Sequence, residues 1–293
     1  MIRIKAFAKV NLFLEVTRRR SDGYHELATL FARIGVSDRL SFRKTGAPGI
    51  KLLVEGGPRD LARPSENIVY RAAEKFFQAF GLAPAVEIKL EKNIPVGAGL
   101  GGGSSDAAAA LLGLARLYKL PRGVSGRLRK IAASLGSDVP FFMLETCMAE
   151  GSGRGEKLKI LRHAGRLPHI VLVYPGIPVY TKGVYGRLRL GARAEILERL
   201  KDLNGLCGLI KKGRFAVEGS GLLFNRLEDP VLPRHEAVSL AKRRFVKFGA
   251  EAALMSGSGA SVFALCRNRT EAARLAAEMG RIRGYRVFST KFC

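Results

Sequence analysis

Residues 95–110 read PVGAGLGGGSSDAAAA, with five glycines in the seven positions from Gly97 to Gly103. Backbone this free of side chains is costly to order, so something must approach it closely. The stretch before it, AVEIKLEKNIP, alternates apolar and polar residues as a strand does. The stretch after it is alanine- and leucine-rich and predicts a helix over Ser105 to Leu117, with Ser104, Ser105 or Asp106 capping its start. Strand, glycine loop and helix form an anion-binding arrangement: the helix's first amides are unpaired and carry the positive end of its dipole.

Several phosphate loops share this outline. A Walker A loop requires a lysine directly after its last glycine, and Ser104 stands there. Gly97, Gly99 and Gly102 satisfy the dinucleotide pattern G-x-G-x-x-G, but the acidic residue expected about 20 positions later is replaced by KLPRGVSGRLRK. The H-R-D and D-F-G companions of protein kinases are absent. The bland alternative is a flexible turn before a helix.

Outward from the loop, the N-terminal run MIRIKAFAKVNLFLEV alternates with period two and predicts a half-buried strand. Lys9 and Asn11 fall on one face of it, about 7 Å apart. Asn67 to Phe80 carries the spacing of an amphipathic helix. A further helix is expected over Ser125 to Leu135, closed by a left-handed Gly136. Asp138 follows in LGSDVPFF, where the residue before Pro140 is biased towards extended backbone. Beyond residue 150 come a glycine turn (EGSGRGEKL) and a strand (HIVLVYPG). Helices follow near 194–203 and 234–248. Then come a strand at 252–255, the turn SGSG at 256–259, a strand at 261–266, a helix at 270–279 and a last strand at 286–289. Strands and helices mix without a βαβ repeat, which predicts an α+β protein of two domains, 1–160 and 161–293.

Phosphoryl transfer asks little covalent chemistry of a protein: it needs phosphates held in line and a group that takes the proton of the attacking hydroxyl. Asp138 is a candidate for that group, against the simpler role of capping a short helix. Lys9 is a candidate partner, against the simpler role of a solvated lysine on a strand.

The 293 residues carry 50 Lys and Arg against 25 Asp and Glu, a formal charge of +25. The surplus suits polyanionic ligands, nucleic acid or an anionic surface. It is spread along the chain in short clusters (Arg18 to Arg20, Lys211-Lys212, Lys242 to Arg244), with no long tail and no RNP-type aromatic motif. Lys9, Asn11 and Glu15 interrupt any signal-peptide core, and no apolar run is long enough for a membrane span. Cys147, Cys207, Cys266 and Cys293 are widely spaced and match neither a zinc nor a disulfide framework. A reducing cytoplasm fits this usage, and the state expected is a monomer or homodimer without an obligatory protein, nucleic-acid or membrane partner.

The loop PVGAGLGGGSSDAAAA resembles the ATP loop of the GHMP small-molecule kinases, which include galactokinase, homoserine kinase and the mevalonate kinases. MSGSGASVFAL at 255–265 resembles their C-terminal glycine motif. FAKVNLFLEV (7–16), SDGYHEL (21–27), GSDVPFF (136–142), ENIVYRA and GRGE resemble the branch that acts on a cytidyl-diphosphate sugar alcohol in the non-mevalonate route to isoprenoids. The ordered matches run from about residue 6 to 266.

The resemblance implies an N-terminal domain like domain 2 of ribosomal protein S5 and a ferredoxin-like C-terminal domain. It implies ATP as co-substrate with Mg2+, and a small-molecule acceptor phosphorylated on a 2-hydroxyl. Asp138 matches the catalytic base and Lys9 its partner, with Asn11 beside the substrate. Pro95, Val96, Gly97, Ala98, Gly99, Leu100, Gly101, Gly102, Gly103, Ser104 and Ser105 match the ATP loop, and Asn67 and Lys92 line the adenosine side. Tyr24, His25 and Tyr185 match the cytidine site, Thr181 contacts substrate, and Gly257 and Ser258 lie in the turn 256–259 that closes its phosphate end. Lys182 stands where many members have proline, which leaves Tyr180 as an alternative to Tyr185. Arg226 stands where an acidic residue is common, away from the expected chemistry. No acidic Mg2+ ligand stands out, so phosphates, water and a loop serine are expected to hold the ion. Two rivals remain: another GHMP kinase acting on homoserine or mevalonate, which DGYHEL argues against, and a non-catalytic nucleic-acid-binding protein.

Overall fold

The computed structural model describes residues 1–58, 61, 63 and 66–293. Its contacts divide the chain into two units that do not follow sequence order: 1–8, 36–96 and 101–145 form one, and 9–35, 97–100 and 146–293 the other. The glycine loop is thus shared, Gly97 to Leu100 with the second unit and Gly101 onward with the first.

In the first unit, β3 (Gly49–Glu55) lies parallel to β4 (Ala85–Glu91), and β4 lies antiparallel to the second half of β2 (His25–Lys44), from Arg39↔Glu91 to Lys44↔Val86. The alternation in β4 is real: Val86, Ile88 and Leu90 are buried and their neighbours are not. Helix α1 (Ile68–Phe80) packs on α2 (Gly102–Leu117) and α3 (Ser125–Leu135), and the short α4 (Val139–Phe142) on α2. Gly113 of α2 admits the ring of Phe42, which lies 2.3 Å from where a Cβ would stand.

Helix α2 begins three residues before the expected Ser105. Its N-cap is Gly101, in the left-handed region at φ 67°, with no side-chain capping bond. Ser104 and Ser105 are therefore first-turn residues, Asp106 lies just beyond them, and none of the three is the cap. Helix α3 has the expected bounds, but Gly136 is extended (φ 170°, ψ 157°) rather than left-handed. Val139 opens α4 despite preceding Pro140, because a proline in the first turn needs no amide partner.

In the second unit, β1 (Ile2–Arg19) and β2 are long strands, β1 contributing residues from Lys9 onward. The structure corrects the half-buried reading of β1: Lys9 is 4% exposed, Asn11 1% and Glu15 0%, so this part is covered on both faces. Strand β5 (Met148–Ser152) pairs antiparallel with β2 and forms a hairpin with β6 (Lys157–Leu161) through the glycine turn. β7 (His169–Tyr174) is followed by α5 (Thr181–Gly186), α6 (Arg193–Lys211) and α7 (Phe215–Glu218). Then β8 (Phe224–Asn225) runs parallel to β1, with Leu14 facing Asn225, and α8 (Glu228–Val231) follows.

The final segments are α9 (Glu236–Lys247), β9 (Ala253–Met255), β10 (Val262–Cys266), α10 (Arg269–Gly280) and β11 (Arg286–Lys291). With β7 they make an antiparallel sheet in the order β11-β7-β10-β9. The elements β7, α9, β9, β10, α10 and β11 give the β-α-β-β-α-β arrangement of the expected ferredoxin-like domain. Val171, Val173, Val262 and Ala264 form its core with Val238, Phe245 and Leu275 of the two helices. Among the described residues, no helix is long and apolar enough to cross a membrane.

Candidate active site

The first half of the glycine loop is tied down through its carbonyls. Val179 N donates to Gly97 O (3.0 Å), Ser261 N to Ala98 O (3.1 Å) and Lys9 N to Leu100 O (2.9 Å). Ser256 Oγ donates to Gly99 O at 3.0 Å. Four consecutive carbonyls are thereby turned towards the protein. Gly97 and Gly99 lie at φ 66° and 73°. A Cβ on Gly99 would stand 2.0 Å from Ser256 O, so this position admits only glycine.

In the first unit the loop continues through Gly101 into α2, whose first amides have no side-chain cap. That terminus suits an anion. Lys92 and Asp106 stand close by. A Cβ on Gly102 would lie 3.5 Å from Lys92 Nζ. Lys92 Nζ donates to Asp38 Oδ2, and to Asp106 Oδ2 at 2.7 Å. Asp38 Oδ1 also accepts from Asn93 N (2.5 Å) and Ile94 N (2.8 Å), which fixes the strand's exit into the loop. Asp106 is buried, and its Oδ1 has no hydrogen-bond partner among the described residues. Burial pushes the Asp106 carboxyl up to about 8; Lys92 opposes the rise and Asp38 adds to it.

Lys92 thus serves the buried carboxyl groups of Asp38 and Asp106. Asn67, the other residue expected beside adenosine, is the N-cap of α1: its Oδ1 accepts from Val69 N (2.9 Å) and its Nδ2 donates to Leu61 O (2.7 Å). Asp138 occupies the N-cap position of α4, yet its carboxylate makes no capping bond, which removes the simpler role considered for it.

The second unit holds Lys9 in a chain of hydrogen bonds. Lys9 Nζ donates to Asn11 Oδ1 (2.6 Å), Asn11 Nδ2 to Thr29 Oγ1 (2.8 Å), and Thr29 Oγ1 to Phe13 O (2.7 Å). The period-two spacing that set Lys9 and Asn11 on one face brings them together, and Lys9 Nζ lies 5.4 Å from the Phe31 ring centre. Gly257 covers the pair: a Cβ there would stand 3.2 Å from Lys9 Nζ and 3.4 Å from Asn11 Oδ1. Ser258 Oγ and Thr181 Oγ1 are 2.8 Å apart.

Asn225, which the sequence reading passed over, holds this turn. Its Nδ2 donates to Met255 O (2.7 Å) and Gly257 O (2.8 Å), while its Oδ1 accepts from Leu227 N (3.0 Å). Arg226 is buried and makes a two-pronged pair with Glu15 (2.9 and 2.8 Å), with Glu195 and Asp229 on its outer side. This pair joins β8 to β1 next to Asn225. The signal was present in the Asn-Arg dipeptide, but no local pattern connects it to Glu15.

The aromatic candidates also gather in this unit. The rings of His25 and Tyr185 are 5.0 Å apart and tilted by 32°. Burial, and then the Arg19 cation, hold the His25 imidazole below its ordinary value. Tyr24 is 54% exposed, with the Arg154 guanidinium 4.8 Å above its ring. Tyr180, the alternative to Tyr185, is 75% exposed. Among the described residues no group of three or more His, Cys, Asp and Glu could hold a metal ion.

An uncapped helix behind a carbonyl-anchored glycine loop is equipment for a nucleotide's phosphates. The model of the GHMP kinases N terminal domain matches residues 67–146, and that of the GHMP kinases C terminal domain matches 210–286. The fold and loop are those of GHMP kinases, phosphotransferases with ATP as co-substrate. A homoserine kinase from Cytophaga hutchinsonii shares the fold, with a TM-score of 0.73 at 18% identity over 99% of this chain and 95% of its own. A crystal structure of 4-(cytidine 5'-diphospho)-2C-methyl-D-erythritol kinase gives a TM-score of 0.78 at 36% identity, over 99% and 98% of the two chains. The 4-diphosphocytidyl-2-C-methyl-D-erythritol kinase of Syntrophus aciditrophicus is 38% identical over 99% of both chains. The chain belongs to the 4-diphosphocytidyl-2-C-methyl-D-erythritol kinase family of the GHMP kinases.

Proposed function

We propose that the protein transfers the γ-phosphoryl group of ATP to the 2-hydroxyl of 4-diphosphocytidyl-2-C-methyl-D-erythritol, a step of the non-mevalonate isoprenoid route in the cytoplasm. The observation that carries the reading is the buried Lys9–Asn11–Thr29 chain beneath Gly257, which fixes the Lys9 ammonium in place. The Asp138 carboxylate takes the hydroxyl proton, the oxygen attacks the γ-phosphorus, and ADP leaves. Lys9 stabilises the charge that develops on the attacking oxygen. The amides of the loop and of α2 hold the ATP phosphates.

His25, Tyr185 and Tyr24 select the cytosine ring by stacking and edge contacts. The rings of His25 and Tyr185 lie 5.0 Å apart, so the cytosine would stack on an outer face of this pair and not between the two. Mg2+, when bound, would supply neutralisation of the phosphate charge. The first-turn serines Ser104 and Ser105 are the residues that would reach it.

One assay tests the reading: purified protein with Mg-ATP, offered the cytidyl substrate, homoserine and mevalonate in parallel. Transfer to the cytidyl substrate alone is expected. Transfer to either of the others but not to it would overturn the substrate.

A further inference from the structure

Cys147 and Cys293 are separated by half of the chain, yet one residue holds both. The antiparallel pairing of β5 with β2 reaches Ala32↔Met148, and one step further Arg33 N donates to Cys147 O at 2.8 Å. On the same strand Ile34 bridges antiparallel to Phe292, and Cys293 N donates to Arg33 O at 3.1 Å. In an antiparallel ladder, a hydrogen-bonded residue exchanges both of its bonds with a single partner. Here Cys147 supplies the acceptor and Cys293 the donor, so the two cysteines share the place opposite Arg33. The segment Phe292-Cys293 and strand β5 therefore lie end to end along one side of β2. The Cys293 amide also donates towards the Cys147 sulfur. A disulfide needs Cα atoms roughly 4.4–6.8 Å apart, and sharing one rung opposite Arg33 is the placement that brings two residues towards that range.

Both cysteines line a cavity of about 420 Å3, together with His163, Arg166, His169 and Lys291. Cys147 is half-buried and Cys293 exposed. The other two cysteines, Cys207 and Cys266, are buried, and burial pushes their thiols up to about 12. The cavity thus joins two thiols to four basic side chains, a combination suited to a ligand that carries both carboxylates and a disulfide.

We propose that Cys147 and Cys293 are a thiol–disulfide exchange site whose oxidant is a small anionic disulfide of the oxidised-glutathione class. Cys293, the more exposed of the two residues, attacks one sulfur of the oxidant as its thiolate. The S–S bond breaks, a mixed disulfide forms on Cys293, and the departing thiolate takes up a proton. The Cys147 thiolate then attacks the Cys293 sulfur and expels the second small thiol. Two protein thiols are oxidised to one disulfide, and the oxidant is reduced by two electrons to two thiols.

Burial pushes both thiols up to about 11, while the Arg33 guanidinium pulls them down. Well below that value each unit of pH raises the thiolate fraction tenfold. His163, Arg166, His169 and Lys291 are the other charged or titratable groups facing the cavity. Burial, and then the Lys291 and Arg269 cations, hold the His169 imidazole below its ordinary value, so Arg166 and Lys291 carry the attraction for the oxidant.

The test is incubation of the full chain with oxidised glutathione, blocking of remaining thiols and peptide mapping without reductant. A Cys147–Cys293 link is expected in the unmutated protein, and Cys147→Ser should stop at glutathione on Cys293. Bond formation at pH 9 should be at least about tenfold faster than at pH 7.5. Oxidised glutathione should outpace uncharged hydroxyethyl disulfide at low salt, with the advantage shrinking in high salt. A link to Cys207 or Cys266, a mixed disulfide that persists in the unmutated protein, or equal rates for the two oxidants would overturn the proposal. The map of the unmutated chain decides the pairing even if the serine variant folds poorly.

Discussion

Replacing Asn225 separates the contribution of its hydrogen bonds from that of its shape. Truncation to alanine removes two donor bonds to Met255 O and Gly257 O and one acceptor bond from Leu227 N, all at a residue 2% exposed. At about 1 kcal/mol net per bond the expected loss is about 3 kcal/mol. At about 2 °C per kcal/mol for a chain of this size, the melting temperature falls by roughly 6 °C. Asn225→Asp keeps the shape and the acceptor for Leu227, but it sets a carboxylate oxygen against two carbonyl oxygens at 2.7 and 2.8 Å.

The aspartate variant should therefore be less stable than the alanine variant at pH 7.5, although it is the closer mimic. Its folded-state pKa is raised above the unfolded value, so its deficit narrows as pH falls and a protonated oxygen donates to one carbonyl again. Urea unfolding followed by circular dichroism at pH 7.5 and pH 5 reads both effects. An aspartate variant as stable as the parent at pH 7.5, or more stable than the alanine variant, would refute the reasoning.

Other substitutions address the remaining parts. Asp138→Asn should lower kcat by roughly 10²–10⁴ with ATP affinity nearly unchanged in a nucleotide titration; full activity would remove it as the base. Tyr24→Ala should raise KM for the cytidyl substrate at similar kcat, and an unchanged KM would exclude it from cytosine recognition. Gly99→Ala should cost about 2–5 kcal/mol from a left-handed backbone and the collision with Ser256 O, read as a lowered urea midpoint. The Asp106 carboxyl, at about 8 in the folded state, keeps a proton that the unfolded chain loses near the ordinary aspartate value. Its contribution to stability therefore falls as pH rises from about 4 to 8, and Asp106→Asn should flatten that part of the profile. Parallel urea-midpoint profiles for the two proteins would show that the carboxyl does not titrate in that window.

Much of the fold was legible because its periodicities are local. Strand β4, helix α3 and the closing β-α-β run of the C-terminal sheet follow from alternation and helical spacing. What misled was polarity read as exposure. Lys9, Asn11 and Glu15 alternate with apolar residues just as a solvent face would, yet each is buried because Asn11, Thr29 and Arg226 satisfy it. The start of α2 was hidden for the opposite reason: Gly102 and Gly103 are poor helix formers, and the helix begins there with a left-handed glycine as its cap. Strand β2 runs for 20 residues through SDRL, which breaks the apolar pattern. The loop, Lys9 and Asp138 are candidates that motifs alone can name. Asn225, which holds the turn over Lys9, is set by contacts between distant segments.

A stretch with five glycines in seven positions invites the picture of a supple flap that settles once its ligand arrives. The four anchored carbonyls from Gly97 to Leu100 argue for the contrary thermodynamics. The conformational entropy of this segment is surrendered when the chain folds, before any nucleotide is present. If the loop holds ATP as proposed, the nucleotide meets a surface already in shape, and its association should carry little of the entropy penalty that ordering a mobile loop imposes. The most flexible-looking part of the chain is, in this sense, its mould.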